Sequence, residues 1–159
     1  MSVNSNTLAI INRDYVLNVS SVLNKDHKQF GKSFLTDGDE ETCWNSDEGN
    51  FQWIFCSFHH SFILNELNIQ FQGGFSCKKL LIKHLDNNQR ELGEFTIYCE
   101  DNNLLQKFKE INPHRFSSQF IRIIFLDCTD TFGRVIVYKF ELYGQQCKNH
   151  ESQQNFVKH

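Results

Sequence analysis

Asp37, Asp39 and Thr42 are the residues best placed to hold an ion, at i, i+2 and i+5 in the run FLTDGDEETCWNSDEG, with Gly38 allowing a tight bend between them. Hard oxygen donors at that spacing, completed by backbone carbonyls, suit a structural calcium ion. The same residues also suit an Asp-Gly turn whose side chains cap neighbouring amides, so both expectations stand. An EF-hand is excluded, because no further acidic position and Gly follow and no Glu closes the loop.

Catalytic patterns are missing. His59 and His60 are adjacent, so on a strand they point to opposite faces and cannot share a ligand. No GxSxG, GxGxxG, P-loop or CxxC occurs, and no histidines are spaced HxH or HxxxH. Glu40 and Glu41 read as loop charges. The expectation is a non-enzyme that carries no cofactor beyond the possible calcium. Two loops offer binding chemistry instead. Gln72-Gly73-Gly74-Phe75-Ser76 puts an aromatic at a flexible tip with Lys78 and Lys79 beyond it, and 127–133 (DCTDTFG) does the same with Phe132, followed by Arg134. An exposed Phe beside Lys or Arg suits a contact with a protein or ligand. Alternatively, each Phe plugs the end of the core.

Short strands must position these loops. Leu67, Ile69 and Phe71 alternate with Asn68, Gln70 and Gln72, as in a half-buried strand. In 51–58, Trp53 and Phe55 share one face and Ile54 and Cys56 the other. Further strands are expected at 79–85, 94–100 and 105–111. Residues 120–126 are apolar on both faces apart from Arg122, which suits a central strand covered on each side. In 135–143, Ile136, Tyr138, Phe140 and Leu142 are assigned to a core face, opposite Lys139 and Glu141. One helical turn is expected near 32–35. About eight strands joined by polar turns predict an all-β fold, an eight-stranded antiparallel jelly-roll β-sandwich. It would fill residues 15–144, between a loosely ordered segment 1–14 and a polar tail 145–159.

Composition narrows the partners. The 159 residues carry 16 Lys and Arg against 19 Asp and Glu, a net charge of −3, which gives no basic field for direct nucleic-acid binding. No apolar run reaches membrane-spanning length, and no secretory signal is visible. The Asn18-Val19-Ser20 sequon is therefore read as a chance match. The six cysteines are widely spread and read as free thiols acting as small hydrophobes.

The strings VSSVLN (19–24), QFGK (29–32), DGDEETCWNSDEG (37–49), IQFQGGFS (69–76), EDNNLLQ (100–106) and DCTDTFGRVIVY (127–138) occur in this order. They resemble the testicular-orphan-nuclear-receptor-associated protein family, over roughly residues 19–144. More broadly, the turn, Trp, strands and closing ELYG resemble the coagulation-factor type C (discoidin, galactose-binding-like) domain. That resemblance implies a jelly roll whose loops at one end bind sugars, phospholipid head groups or proteins. The narrower one implies a nuclear, non-catalytic partner of a nuclear receptor that represses transcription by hindering the receptor's binding to its DNA element. The wider family's disulfide bracket is missing, since no cysteine precedes Cys43. Where that family's calcium site takes a late glutamate, this chain has Lys139, whose ammonium is expected to replace calcium among Asp37, Asp39 and Thr42; alternatively Lys139 points outward and Glu141 or carbonyls complete a true metal site. Two rival readings are a lectin-like module using Phe75, Phe132, Arg134 and Asn45, and a β-sandwich subunit of a larger intracellular assembly. The isolated chain is expected to be a monomer.

Overall fold

The longest strand grows from the two alternating runs at 51–58 and 67–72. A computed structural model describes residues 8–10 and 15–147, and in it both runs belong to one 19-residue strand, β4 (Trp53–Phe71). Its first part pairs with β2 (Tyr15–Val19) and β8 (Ser117–Cys128). Its second part pairs with β9 (Ile136–Gln146) and β7 (Leu105–Lys109). A register shift between Ser57 and Phe62 marks where the chain passes from one layer to the other, with His59 and His60 exposed at the corner. β5 (Cys77–Leu85) and β6 (Glu91–Tyr98) extend the first layer beyond β8. The two-residue strands β1 (Leu8–Ala9) and β3 (Trp44–Asn45) pair with β9 in the second. Every ladder is antiparallel, as the expected β-sandwich requires. One helical turn, α1 (His27–Phe30), and a 3-10 turn at Lys32–Leu35 lie between β2 and β3.

The core is where the inner faces meet. Ile54, Cys56, Phe62, Leu67, Ile69 and Phe71 of β4 face Leu80, Ile82, Ile121, Ile123, Phe125 and Phe140, all buried. Trp44 is fully buried with its ring 5.8 Å from Phe125, and its indole N–H donates to the Ser21 carbonyl at 2.8 Å. That bond satisfies the one polar atom of a large apolar side chain.

Three expectations change. Gln70 pairs with Lys139 and Phe71 with Val137, so Tyr138 is an extra residue, a β-bulge. The bulge breaks the alternation: Val135 and Val137 turn inward with Phe140 and Leu142, and Tyr138 does not stay on the core face. A second irregularity between Leu64 and Glu66 lets Leu64 and Leu67, three apart, both point inward. Within 120–126 of β8, Ile121, Ile123 and Phe125 are the residues buried in the core. Phe120, Arg122, Ile124 and Leu126 are half-buried on the outside, so the strand is central within its sheet but not covered on both sides. The domain also starts earlier and ends later than expected. Leu8 and Ala9 pair with Gly144 and Tyr143, Ile10 is fully buried, β9 runs to Gln146, and the Cys147 N–H donates to the Ser61 carbonyl. The rest of the terminal segments, 1–7, 11–14 and 148–159, lies outside the described residues.

Candidate functional site

Four loops meet at one end of the sandwich: 46–52 before β4, 72–76 after it, 99–104 joining the layers, and 129–135 between β8 and β9. Gln52, almost fully buried, ties the first loop down. Its Oε1 accepts from the Ser20 and Ser21 hydroxyls at 2.6 and 2.9 Å, and its Nε2 donates to the Asp47 and Gly49 carbonyls at 2.8 and 3.2 Å. Asp101 ties the second and third loops, its carboxylate accepting from the Gly74 amide at 2.9 Å and the Ser76 hydroxyl at 2.8 Å. Those two donors, the amide first, hold its carboxyl below the usual range. Asp130 caps the fourth loop by accepting from the amides of Phe132 and Arg134. The first and fourth loops touch at Gly133, where the backbone is left-handed (φ 81°) and a Cβ would lie 2.2 Å from the Gly49 carbonyl oxygen. Only Gly fits there.

This frame displays apolar groups to solvent. Phe51 is 68% exposed, Leu104 68% and Phe132 61%; with Tyr98 at the rim, four of the six strongly exposed large apolar side chains among the described residues lie at this end. Phe51 is also a non-glycine residue in the left-handed region (φ 62°). Such strain costs about 1–3 kcal/mol and concentrates at working surfaces. Between Phe51 and the fourth loop lies a groove of about 430 Å³, lined by Asn50, Asp127, Asp130 and Thr131.

The loop residues singled out from sequence are drawn together only in part. Arg134 lies over the Phe75 ring, 4.9 Å from its centre, with its Nε 3.6 Å from Asp130. Phe75 is thus a half-buried support under a guanidinium and not an exposed tip. Phe132 is exposed. Lys78 is exposed, while Lys79 pairs loosely with Asp127 at 3.6 Å. Asn45 is 7% exposed in the β3–β9 ladder, so it cannot ring a sugar at the surface. Phe51, Gln52, Asp101, Leu104 and Asp130 escaped the sequence reading.

The acidic bend is braced by its own side chains. The Asp37 carboxylate accepts from the Asp39 amide at 3.0 Å and from the Thr42 hydroxyl at 2.5 Å, and Asp39 accepts from the Glu41 amide at 2.9 Å. Both Asp37 oxygens and one of Asp39 thus accept hydrogen bonds within the bend, and among the described residues no three His, Cys, Asp or Glu side chains converge as a metal site. Lys139 is not the expected clamp: half-buried on β9 across from Gln70, it makes no ion pair with Asp37 or Asp39 among the described residues. The bend is fixed to β9 by backbone instead. Trp44 and Asn45 pair with Val137 and Ile136, and the Ser46 hydroxyl accepts from the Val135 amide at 2.9 Å.

The six cysteines are free, with Cys56 and Cys77 buried and the other four half-buried. Burial raises the thiol pKa of Cys43 and Cys56, and hydrogen bonding to Cys99 raises that of Cys77. None is thereby made a nucleophile. No helix among the described residues is long and apolar enough to cross a membrane.

No protein-family model matches the chain. It is 44% identical over 139 residues to the nuclear receptor 2C2-associated protein of Xenopus laevis, covering 86% of this chain and 98% of that one. The chain belongs to the nuclear receptor 2C2-associated protein family. The zebrafish (Danio rerio) member is 48% identical over 80% of this chain and 89% of its own. The human one is 39% identical over 88% and 99%. Among solved structures, an F5/8 type C domain from Bacteroides fragilis superposes with a TM-score of 0.73 at 16% identity, covering 90% of this chain and 99% of that one. A family 32 carbohydrate-binding module from Clostridium perfringens NanJ, solved with galactose, gives 0.66 at 17%, covering 86% and 98%. These likenesses establish the discoidin, galactose-binding-like fold of this family member and nothing of its ligand.

Proposed function

We propose that this chain is a non-catalytic, cofactor-free protein-interaction module of the nucleus, which grips a nuclear receptor through its loop end and so hinders the receptor's hold on its DNA response element. The relatives' name supplies the partner class. The observation that carries the reading is the chemistry of the loop end. Exposed Phe51, Leu104 and Phe132 stand among the exposed carboxylates Glu48, Glu100 and Asp101, with Glu40 and Glu41 of the acidic bend beside Asn103; these outnumber the exposed Lys78, while Lys79 is paired with Asp127. Apolar anchors inside an acidic rim fit a basic protein surface. A nuclear-receptor module places a helix in the major groove and neutralises phosphates with Lys and Arg, so its DNA-reading side is basic. The same charge repels nucleic acid and anionic lipid. A sugar-binding role is disfavoured by the burial of Asn45 and by the Arg134 guanidinium over Phe75.

The test is displacement. A fluorescently labelled response element bound to the receptor's DNA-binding domain is titrated with the full chain, and its polarisation is followed. The expected result is release of the DNA, weakened at least tenfold by Phe51→Ser with Phe132→Ser and by Glu48→Lys. No release, or release indifferent to those substitutions, would overturn the reading.

A further inference from the structure

The face on the outside of the β2–β4–β8–β5–β6 layer has a composition unlike a solvated sheet. On three of these strands large apolar residues alternate with the core ones and point outward: Trp53 and Phe55 on β4, Phe120, Ile124 and Leu126 on β8, and Leu81 on β5, all half-buried. Ladder pairing makes them contiguous, since Trp53 and Leu81 both lie across from Ile124, and Phe55 stacks on Phe120 at 6.0 Å. In an antiparallel sandwich the solvent side of a sheet normally alternates to polar residues. Here it does not.

At the centre of this face stands Arg122. Its guanidinium lies over the Phe55 ring, 5.3 Å from the centre, and it pairs across the ladders with Phe55 and Lys83. The neighbouring cations are compensated: Lys83 meets Glu91 at 2.9 Å and Glu94 at 3.9 Å, and Lys79 meets Asp127. Arg122 has no carboxylate within ion-pair distance among the described residues. The Trp53 indole N–H likewise has no acceptor there, although the Trp53 amide does. Arg and Trp in an apolar setting are the residues that most often carry binding energy at protein interfaces. A guanidinium fixed on an aromatic ring is pre-organised to take a carboxylate in two parallel bonds.

We propose that this outer sheet face is a second protein-docking surface, separate from the loop end, whose occupant presents an apolar patch with an Asp or Glu at its centre to meet Arg122. Charge selects the class of occupant. A second copy of this chain would bring its own Arg122 to the same surface, and a basic or nucleic-acid partner has nothing to offer the apolar surround. The chain then joins two macromolecules, one basic at its loop end and one acidic and apolar on its sheet.

Zero-length coupling tests the central ion pair. Arg122→Lys places an amine where the guanidinium stands, and a carbodiimide joins an amine only to a carboxylate in direct contact. The tagged full-length variant is treated with carbodiimide in its own cells' extract, and peptides coupled to position 122 are sequenced. Expected is one coupled peptide from a different protein, joined through Asp or Glu and flanked by apolar residues. Trp53→Ser, added to the same variant, should cut its yield roughly thirtyfold, the scale of an interface anchor. Arg122→Glu should abolish co-purification of that protein while leaving the melting curve in place. Coupling only to a second copy, no coupling at position 122, or a yield unmoved by Trp53→Ser would overturn the proposal.

Discussion

His84 makes the stability of this domain depend on pH in a way that one substitution should remove. The side chain is 1% exposed on the inner side of β5, its ring 5.9 Å from that of Phe116, and neither ring nitrogen has a hydrogen-bond partner among the described residues. Burial pushes its pKa from 6.5 down to about 4. The unfolded chain therefore takes up a proton on this histidine near pH 6.5, while the folded chain resists until about pH 4. Stability from this group is complete above pH 6.5, falls as the pH drops toward 4, and then levels off. At about 1.36 kcal/mol per pH unit the loss is about 3 kcal/mol. His84→Leu keeps an apolar side chain of similar size and has no proton to take. Urea unfolding of both proteins at pH 7, 6, 5 and 4 gives two curves, and the carboxylates, common to both, cancel in their difference. That difference should move by about 3 kcal/mol in favour of the variant between pH 7 and 4. The variant should also gain about 1 kcal/mol at pH 7, because two buried unpaired nitrogens are gone. Parallel curves would refute the reasoning.

Other perturbations probe the loop frame. Gln52→Ala strands two hydroxyls and two carbonyls around a buried site and should cost about 3 kcal/mol in chemical denaturation. Phe51→Gly relieves a left-handed backbone at an exposed position; it should leave stability level or raise it by up to about 1 kcal/mol while weakening receptor binding. Gly133→Ala drives a Cβ into the Gly49 carbonyl, so it should lower the melting temperature and shift amide signals in both touching loops. Lys139→Met should cost less than about 1 kcal/mol, against the 3–5 kcal/mol expected of a broken buried ion pair; a loss on that larger scale would restore the clamp to the acidic bend.

Period-two patterning made the layers legible, because alternation records which side of a strand meets the core. The long β4 could be read as two strands from Trp53, Phe55 and the Leu67–Phe71 run, but not as one chain crossing between layers. Its corner at His59 and His60 carries no Gly or Pro to mark it. The bulge at Tyr138 was invisible for a related reason: an inserted residue leaves no compositional trace, yet it reverses the faces of every residue before it. The outward turn of Phe120 and Ile124 was hidden because a doubly covered strand and one awaiting a partner share the same apolar run. Asp37, Asp39 and Thr42 were found as a unit, and a calcium loop and an Asx turn draw on the same residues. Gln52 had no signal at all, since its partners Ser20 and Ser21 lie some thirty residues earlier.

The claim that matters most is that the loop end is the surface that meets the receptor. Hydrogen exchange of the full chain, alone and with purified nuclear receptor, reads this directly along the backbone. The expected result is slowed exchange in residues 47–52, 99–104 and 127–135, unchanged exchange in β2 and β6, and loss of the effect at high salt. Slowing confined to the sheet strands, or none at receptor concentrations that displace DNA, would contradict it.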